Sequence, residues 1–222
     1  QGTNAFTSFD QTVYVENIPS NQVENWAKIQ ADRFQHMVIR GFHTELEAVY
    51  EEKNTTMDRD GDRLLDSLIA NLYPEHPYGT QTTIGTQEHL KNPSITNIKK
   101  HYDTYYRPNN VAICMAGDFN PDSVMAIIRK YFGEWQPNPS IPRLAVQPLG
   151  PLTQVHEANV YGTQAEELYI GWRIPGAADP DNAMLTVVAN LLYNGTAGLI
   201  DVDVVQKLKA LPATFGSSLP HA

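Results

Sequence analysis

The sequence is poor in cysteine. Cys114 stands alone among 222 residues, which excludes an internal disulfide framework and a Cys-based zinc knuckle. No run of about 20 apolar residues occurs, the length a helix needs to cross a bilayer, so no membrane-spanning helix is expected. Positive charge is also scarce: 16 Lys and Arg stand against 25 Asp and Glu, a formal net charge of −9. No basic stretch is interleaved with aromatics, and phosphate backbones require clustered cations, so nucleic acid is excluded as the main partner. The chain does have apolar content, 41% against 18% charged, enough for a core and too much for disorder. Its length suits one large domain or one and a half ordinary ones.

Several motifs are missing as well. Neither His-Glu-x-x-His nor its inversion His-x-x-Glu-His occurs. Glu75–His76 and Glu88–His89 look like the tail of the inverted form, but Leu72 and Gly85 stand where its first histidine belongs. No Ser-His-Asp or Cys-His arrangement can be assigned, and no phosphate-type glycine loop is present. Asp58–Arg–Asp–Gly–Asp62 looks like a calcium loop, yet Arg63 occupies the position of the invariant glycine and Ile69 that of the bidentate glutamate. Calcium is therefore rejected and a solvated link preferred. Gln1–Gly–Thr–Asn4 has no initiator Met, basic n-region or apolar h-region, and the chain is expected to be part of something longer.

What is present reads as alternating strands and helices. Asn4–Val15 is rich in Phe, Thr, Val and Tyr and suits one extended strand or two short ones. Asn21 with Glu24 offers a capping box, followed by Val23, Trp26, Ala27, Ala31, Phe34 and Val38 at helical spacing up to Gly41. A further helix carries Leu64, Leu65, Leu68, Ile69 and Leu72 and ends at Pro74. His76–Pro–Tyr–Gly79 is a turn-bearing loop. Ser94–Tyr106 reads as a helix stopped by Arg107–Pro108, and Val111–Ala116 as a short buried strand. Asn120 caps a helix with Pro121 at its first position, a core face of Val124, Ile127, Ile128, Tyr131 and Phe132, and Gly133 just past its end. Prolines 137, 139, 142, 148 and 151 mark a linker, and a domain boundary is expected over 139–151. Beyond it come a strand over Leu168–Ile174 with Trp172 on its core face and a helix from Asp179–Pro180 carrying Val187, Val188, Leu191 and Leu192. A shorter helix from about Ile200 follows Asn194–Gly195. The fold class is α+β: residues 1–138 form a first domain, 139–151 a linker, and 152–222 the start of a second.

One stretch carries candidate chemistry, Thr44–Asn54. Thr44 and Glu47 make a capping box, so the run begins as a helix. Glu45 and Glu52 lie seven residues, about two turns, apart and share a face with Ala48 and Val49 between them. Two carboxylates so placed can hold a metal and orient its surroundings, and they equally suit a charged, solvated helix face.

In order along the chain, Gly2–Thr–Asn–Ala–Phe–Thr–Ser8 with Thr12 and Tyr14, Glu45-x-x-x-Val49-x-x-Glu52, His76–Pro–Tyr–Gly79, Tyr105–Tyr–Arg–Pro–Asn–Asn110, Gly117–Asp118 and Asn194–Gly–Thr–Ala–Gly–Leu199 resemble the landmarks of the insulinase/pitrilysin family of zinc metallopeptidases. The resemblance implies a mostly antiparallel sheet flanked by long helices, N-terminally truncated here, plus the start of a second similar domain. It implies that Glu52 is the third zinc ligand and Glu45 the carboxylate supporting the site. Asn4, Ala5 and Phe6 would form an edge strand that grips extended peptide substrates by β-augmentation. In the family the His-x-x-Glu-His helix lies roughly 70–80 residues before the third ligand. Only 51 residues precede Glu52, so both histidine ligands and the general base are expected upstream of Gln1. The implied function is part of a zinc-dependent metalloendopeptidase, this chain alone being inactive. The alternative is a non-catalytic half or partner subunit. In either case a second domain or subunit of the same family would enclose a peptide-binding chamber, and the resemblance points to a bacterial periplasm or cell envelope.

Overall fold

Alternating Thr, Val, Phe and Tyr near the N-terminus build a hairpin in the computed structural model, which describes residues 2–143, 145, 149–176, 179–210 and 213–215. Strand β1, Gly2–Thr7, pairs antiparallel with β2, Thr12–Asn17, with Ala5 opposite Tyr14 and Thr7 opposite Thr12. The turn closes on a hydrogen bond from Ser8 N–H to the Gln11 carbonyl (2.8 Å). This is the whole sheet among the described residues. The broader antiparallel sheet implied by the resemblance is absent from them.

Eight helices follow among the described residues. They are α1 Val23–Gln35, α2 Phe42–Met57, α3 Asp60–Leu72, α4 Pro77–Thr80, α5 Gln87–Lys91, α6 Ile95–Tyr105, α7 Pro121–Phe132 and α8 Asn182–Leu192, with a π-helical turn at Asp201–Val205. None is long and apolar enough to cross a membrane. The described residues form an α+β chain in which helix dominates.

Where a side chain satisfies a free backbone N–H, the expected helix start is observed. Ser94 accepts from Asn97 N–H (3.2 Å) and Asn120 from Ser123 N–H (3.0 Å), the N-cap geometry. The two expected capping boxes do not form. Ser20–Gln22 makes a 3₁₀ turn that feeds α1, so Asn21 lies within that turn rather than at the cap. Helix α2 starts two residues before Thr44, from Gly41 at φ +63°, a left-handed conformation that glycine adopts at no steric cost. Helix α1 also ends sooner than its apolar spacing suggested, and Val38 is 66% exposed.

The first of two compact units runs to Ile170, and its core is the packing of α1 on α7. Val23, Ala27 and Ala31 of α1, Val124 of α7 and Trp135 are buried there or at its margin. Trp26 meets Phe132 (6.5 Å between ring centroids), and Phe34 lies between Trp135, Tyr106 and Tyr14 at 6.2, 6.2 and 5.2 Å. Glu16 of β2 fastens the hairpin to α1. Its carboxylate accepts from the Trp26 indole N–H and from Gln30 Nε2 (2.7 Å), with the Arg33 guanidinium at 3.9 Å. Lys130 and Tyr131 of α7 donate to Glu24 of α1 (2.7 and 3.1 Å).

Two expected strands are corrected. Val111–Ala116 and Leu168–Ile174 form no ladder among the described residues. Cys114 is exposed and Trp172 is 63% exposed. Apolar alternation marks residues fit for a sheet, but a strand exists only where a neighbour accepts its hydrogen bonds. The compact units divide between Ile170 and Gly171, beyond the proline-rich stretch, and Asp60 of the first unit holds Thr163 and Gln164. In the second unit, Val187, Val188 and Leu191 of α8 are exposed rather than packed. There Asp201 is buried and accepts N–H bonds from Asn194 and Gly198 (3.1 and 2.9 Å).

Glu16→Ala leaves the Trp26 and Gln30 donors without their acceptor, at a cost of about 1–3 kcal/mol. The denaturation midpoint should fall, and hairpin amides should lose hydrogen-exchange protection ahead of α7. Equal loss in both would show that the clasp is not local to the hairpin.

Candidate functional site

Helix α2 brings Glu45 and Glu52 to one face, as their spacing requires. Both are exposed, and among the described residues neither carboxylate has a hydrogen-bond or ion-pair partner. Helix α2 packs on α3 and α5, with Gln87 of α5 donating to Asn54 (2.9 Å). The carboxylates thus stand on a supported helix, with their lone pairs open to solvent.

These donors do not by themselves complete a hydrolytic zinc shell, which takes three protein ligands. Among the described residues no group of three or more His, Cys, Asp and Glu could hold a metal ion. The histidines have other neighbours. His36 pairs with Asp32 (3.1 Å), His43 lies edge-on to Phe42, and His101 sits beside Tyr105. His76 is buried and acts as a cap, its Nδ1 accepting the Tyr78 N–H (3.1 Å). A surface cavity of about 390 Å³, lined by Phe34, His36, Lys99, Tyr102, Tyr106 and Arg107, involves neither glutamate.

Asn4, Ala5 and Phe6 lie in β1, whose six residues are all exposed. The strand has β2 on one side and no strand on the other among the described residues, the arrangement that strand addition needs. Asn4 Oδ1 accepts the Ala5 N–H (2.9 Å), and Phe6 is 51% exposed.

The sequence marked His76–Pro–Tyr–Gly79 as a landmark without a task, and the structure supplies one. His76 caps α4 and Pro77 takes its first turn. A Cβ on Gly79 would overlap the Tyr73 carbonyl, so close backbone approach demands glycine there. Tyr78 is buried, donates its hydroxyl to Asp10 (2.9 Å) and packs on Phe9 (4.7 Å). The tip of the hairpin is thereby seated on α4, α4 packs on α3, and α3 on α2. That chain of contacts links the exposed strand to the glutamate helix. Proline and glycine in a turn gave a partial signal; Asp10, an ordinary polar turn residue, gave none.

Burial, and then the hydrogen bond to Asp10, push the Tyr78 hydroxyl up to about 12. A raised tyrosine value favours the neutral form in the fold. Its contribution is complete below about 10 and is lost as pH rises through about 12. Tyr78→Phe should lower stability by about 1 kcal/mol at neutral pH and remove this step from the tyrosinate absorbance titration. A titration identical to the parent would unseat the assignment. Glu45→Gln and Glu52→Gln should each shift stability by less than about 0.5 kcal/mol, because neither carboxylate has a partner to lose.

Comparison with known proteins identifies relatives of the chain. A family model described as "Peptidase M16 inactive domain" matches residues 94–215. The zinc protease PqqE of Helicobacter pylori is 24% identical over 223 residues, covering 98% of this chain and 50% of that protein. A probable mitochondrial-processing peptidase subunit beta of Schizosaccharomyces pombe is 28% identical over 137 residues, 61% of this chain and 30% of that one. A crystal structure of a protease from Helicobacter pylori shares the fold at a TM-score of 0.72 and 21% identity, over 99% of this chain and 55% of that chain. The chain spans about half the length of the relatives it matches along most of its own.

Proposed function

The chain belongs to the peptidase M16 family of zinc metallopeptidases, and from that premise we propose that it is the part of a zinc-dependent endopeptidase that supplies one metal ligand and the substrate-gripping strand. Glu52 is the ligand. Glu45, two turns away on the same face, supports the site by accepting a hydrogen bond from a neighbouring ligand, as carboxylates around metals commonly do. The observation that carries this reading is the pair itself: two unpartnered, exposed carboxylates on one face of α2, in a chain that aligns over nearly its whole length with a zinc protease.

Two histidines would complete the shell, and no group among the described residues gathers them with Glu52. Zinc, when bound, polarises the peptide carbonyl and activates water for attack. Asn4, Ala5 and Phe6 hold the substrate as an added strand, because main-chain hydrogen bonds grip an extended peptide whatever its side chains. The substrate is enclosed with the help of a second domain or subunit of the same family.

A second reading has one observation in its favour. The matching family model is described as an inactive domain, which suits a non-catalytic half that only shapes a peptide chamber. That match covers 94–215 and leaves Glu45, Glu52 and β1 outside it, so the two readings differ on residues 2–93.

In the full-length protein, Glu52→Gln should abolish stoichiometric zinc, measured by metal analysis, and lower peptide turnover at least about 100-fold. Glu45→Gln should retain more zinc than Glu52→Gln while weakening affinity about 10–100-fold. Unchanged zinc content in Glu52→Gln would remove that residue from the ligand set. A metal-free parent that binds peptides without cleaving them would establish the non-catalytic half.

A further inference from the structure

The Asp58–Asp62 run, unfit for calcium by its sequence, has a specific contact in the fold. Asp60 is the first residue of α3, and its side chain is 13% exposed. Its Oδ2 accepts the backbone N–H of both Thr163 and Gln164 at 2.8 Å, a contact spanning 103 and 104 residues of sequence. Its Oδ1 accepts the Arg63 guanidinium. Two backbone N–H groups and a guanidinium on one carboxylate make a charge-assisted cluster, stronger than neutral hydrogen bonds.

The seat is shaped by glycine. A Cβ on Gly162 would overlap the Asp60 carboxylate, and one on Gly61 would lie 3.3 Å from the Tyr169 hydroxyl. Only a residue without a side chain lets the backbone come down onto Asp60. The neighbouring charges are also paired: Arg59 lies 3.4 Å from Asp62, leaving Arg63 to Asp60. The Gln164 N–H first, and then Arg63, hold the Asp60 carboxyl below its usual range. A merely solvated acidic link would show none of this.

We infer that Asp60 is a latch that fastens the Gly162–Thr163–Gln164 turn to the start of α3. The latch lies close to the proposed metal helix in the chain, since only Asp58 and Arg59 separate α2 from α3. Both ends of the latch, Asp60 and the Gly162–Gln164 stretch, belong to the first compact unit. Asp60 therefore joins the stretch beyond the proline-rich segment to the start of α3. This role is independent of whether Glu52 holds zinc.

Amide hydrogen exchange on the full-length protein tests the latch. Asp60→Ala should speed exchange at Thr163 and Gln164 by roughly tenfold or more while α1 and α7 keep their protection. Gly162→Ala should do the same by unseating the turn. The double variant should exchange no faster than Asp60→Ala, because the overlap vanishes with the carboxylate. Unchanged rates in Asp60→Ala, or additive losses in the double variant, overturn the latch. If Asp60→Ala loosens α1 and α7 as well, Asp60→Asn decides the matter. With one acceptor oxygen left and no charge, it should give intermediate rates at these two amides, and parental rates overturn the proposal.

Discussion

The Glu16 carboxylate is the interaction on which the placement of the hairpin depends. A two-stranded hairpin is marginal in water without a further strand or a helix to pack on, and no third strand adjoins β1 or β2 among the described residues. Glu16 supplies the missing support from the side. It gathers Trp26 and Gln30 of α1, with Arg33 close by, and fixes β2 against a helix that is itself buried on α7. Arg33 also lies over the rings of Tyr14 and Phe34 at 4.7 and 4.8 Å, closing the same contact from the aromatic side. An edge strand used to grip a peptide must keep one side free and still be rigid. This clasp meets both demands, because it holds the hairpin through β2 and leaves β1 exposed.

A second anchor acts at the other end of the hairpin. The turn residues Phe9 and Asp10 rest on Tyr78, and Tyr78 is presented by a short helix that depends on the His76 cap and on the close approach at Gly79. The conspicuous His–Pro–Tyr–Gly motif is thus mechanical rather than chemical. Its histidine is buried, with Nδ1 engaged by the Tyr78 N–H, so its part in the fold is that of a helix cap.

Much of this was legible in the sequence, and most of what was not depends on a distant partner. Helix starts governed by a side chain and the next few backbone N–H groups, Ser94 and Asn120, are local and could be read directly. So could the carboxylate pair, since seven residues on a helix return to the same face. Features that depend on a distant partner could not. Val111–Ala116 and Leu168–Ile174 carry strand-like alternation, but a ladder needs a neighbour that periodicity cannot supply. Asp60 looked like part of a solvated link because its partners lie more than a hundred residues away. A local exception is Gly41, where the helical spacing of the first helix stops: its left-handed φ makes it the N-cap of α2.

The stretch matched as an inactive domain, 94–215, has a task that its description does not suggest. Tyr102, Tyr106 and Trp135 all fall within it, and they surround Phe34 of α1. Tyr102 and Tyr106 stack at 4.2 Å, Tyr102 donates to the carbonyls of Arg33 and Phe34, and the Tyr106 hydroxyl lies 3.2 Å from that of Tyr14 on β2. Burial first, and then the Tyr106 hydroxyl, hold the Tyr14 phenol above its ordinary range, which favours its neutral form in the fold. Tyr102, Tyr106 and Trp135 thus buttress α1 and β2, the strand paired with β1. β1 can stay open to solvent while the hairpin is held, since the aromatic packing lies behind its partner strand: Tyr14 of β2 meets Phe34 of α1 and the Tyr106 hydroxyl, and Phe34 meets Trp135.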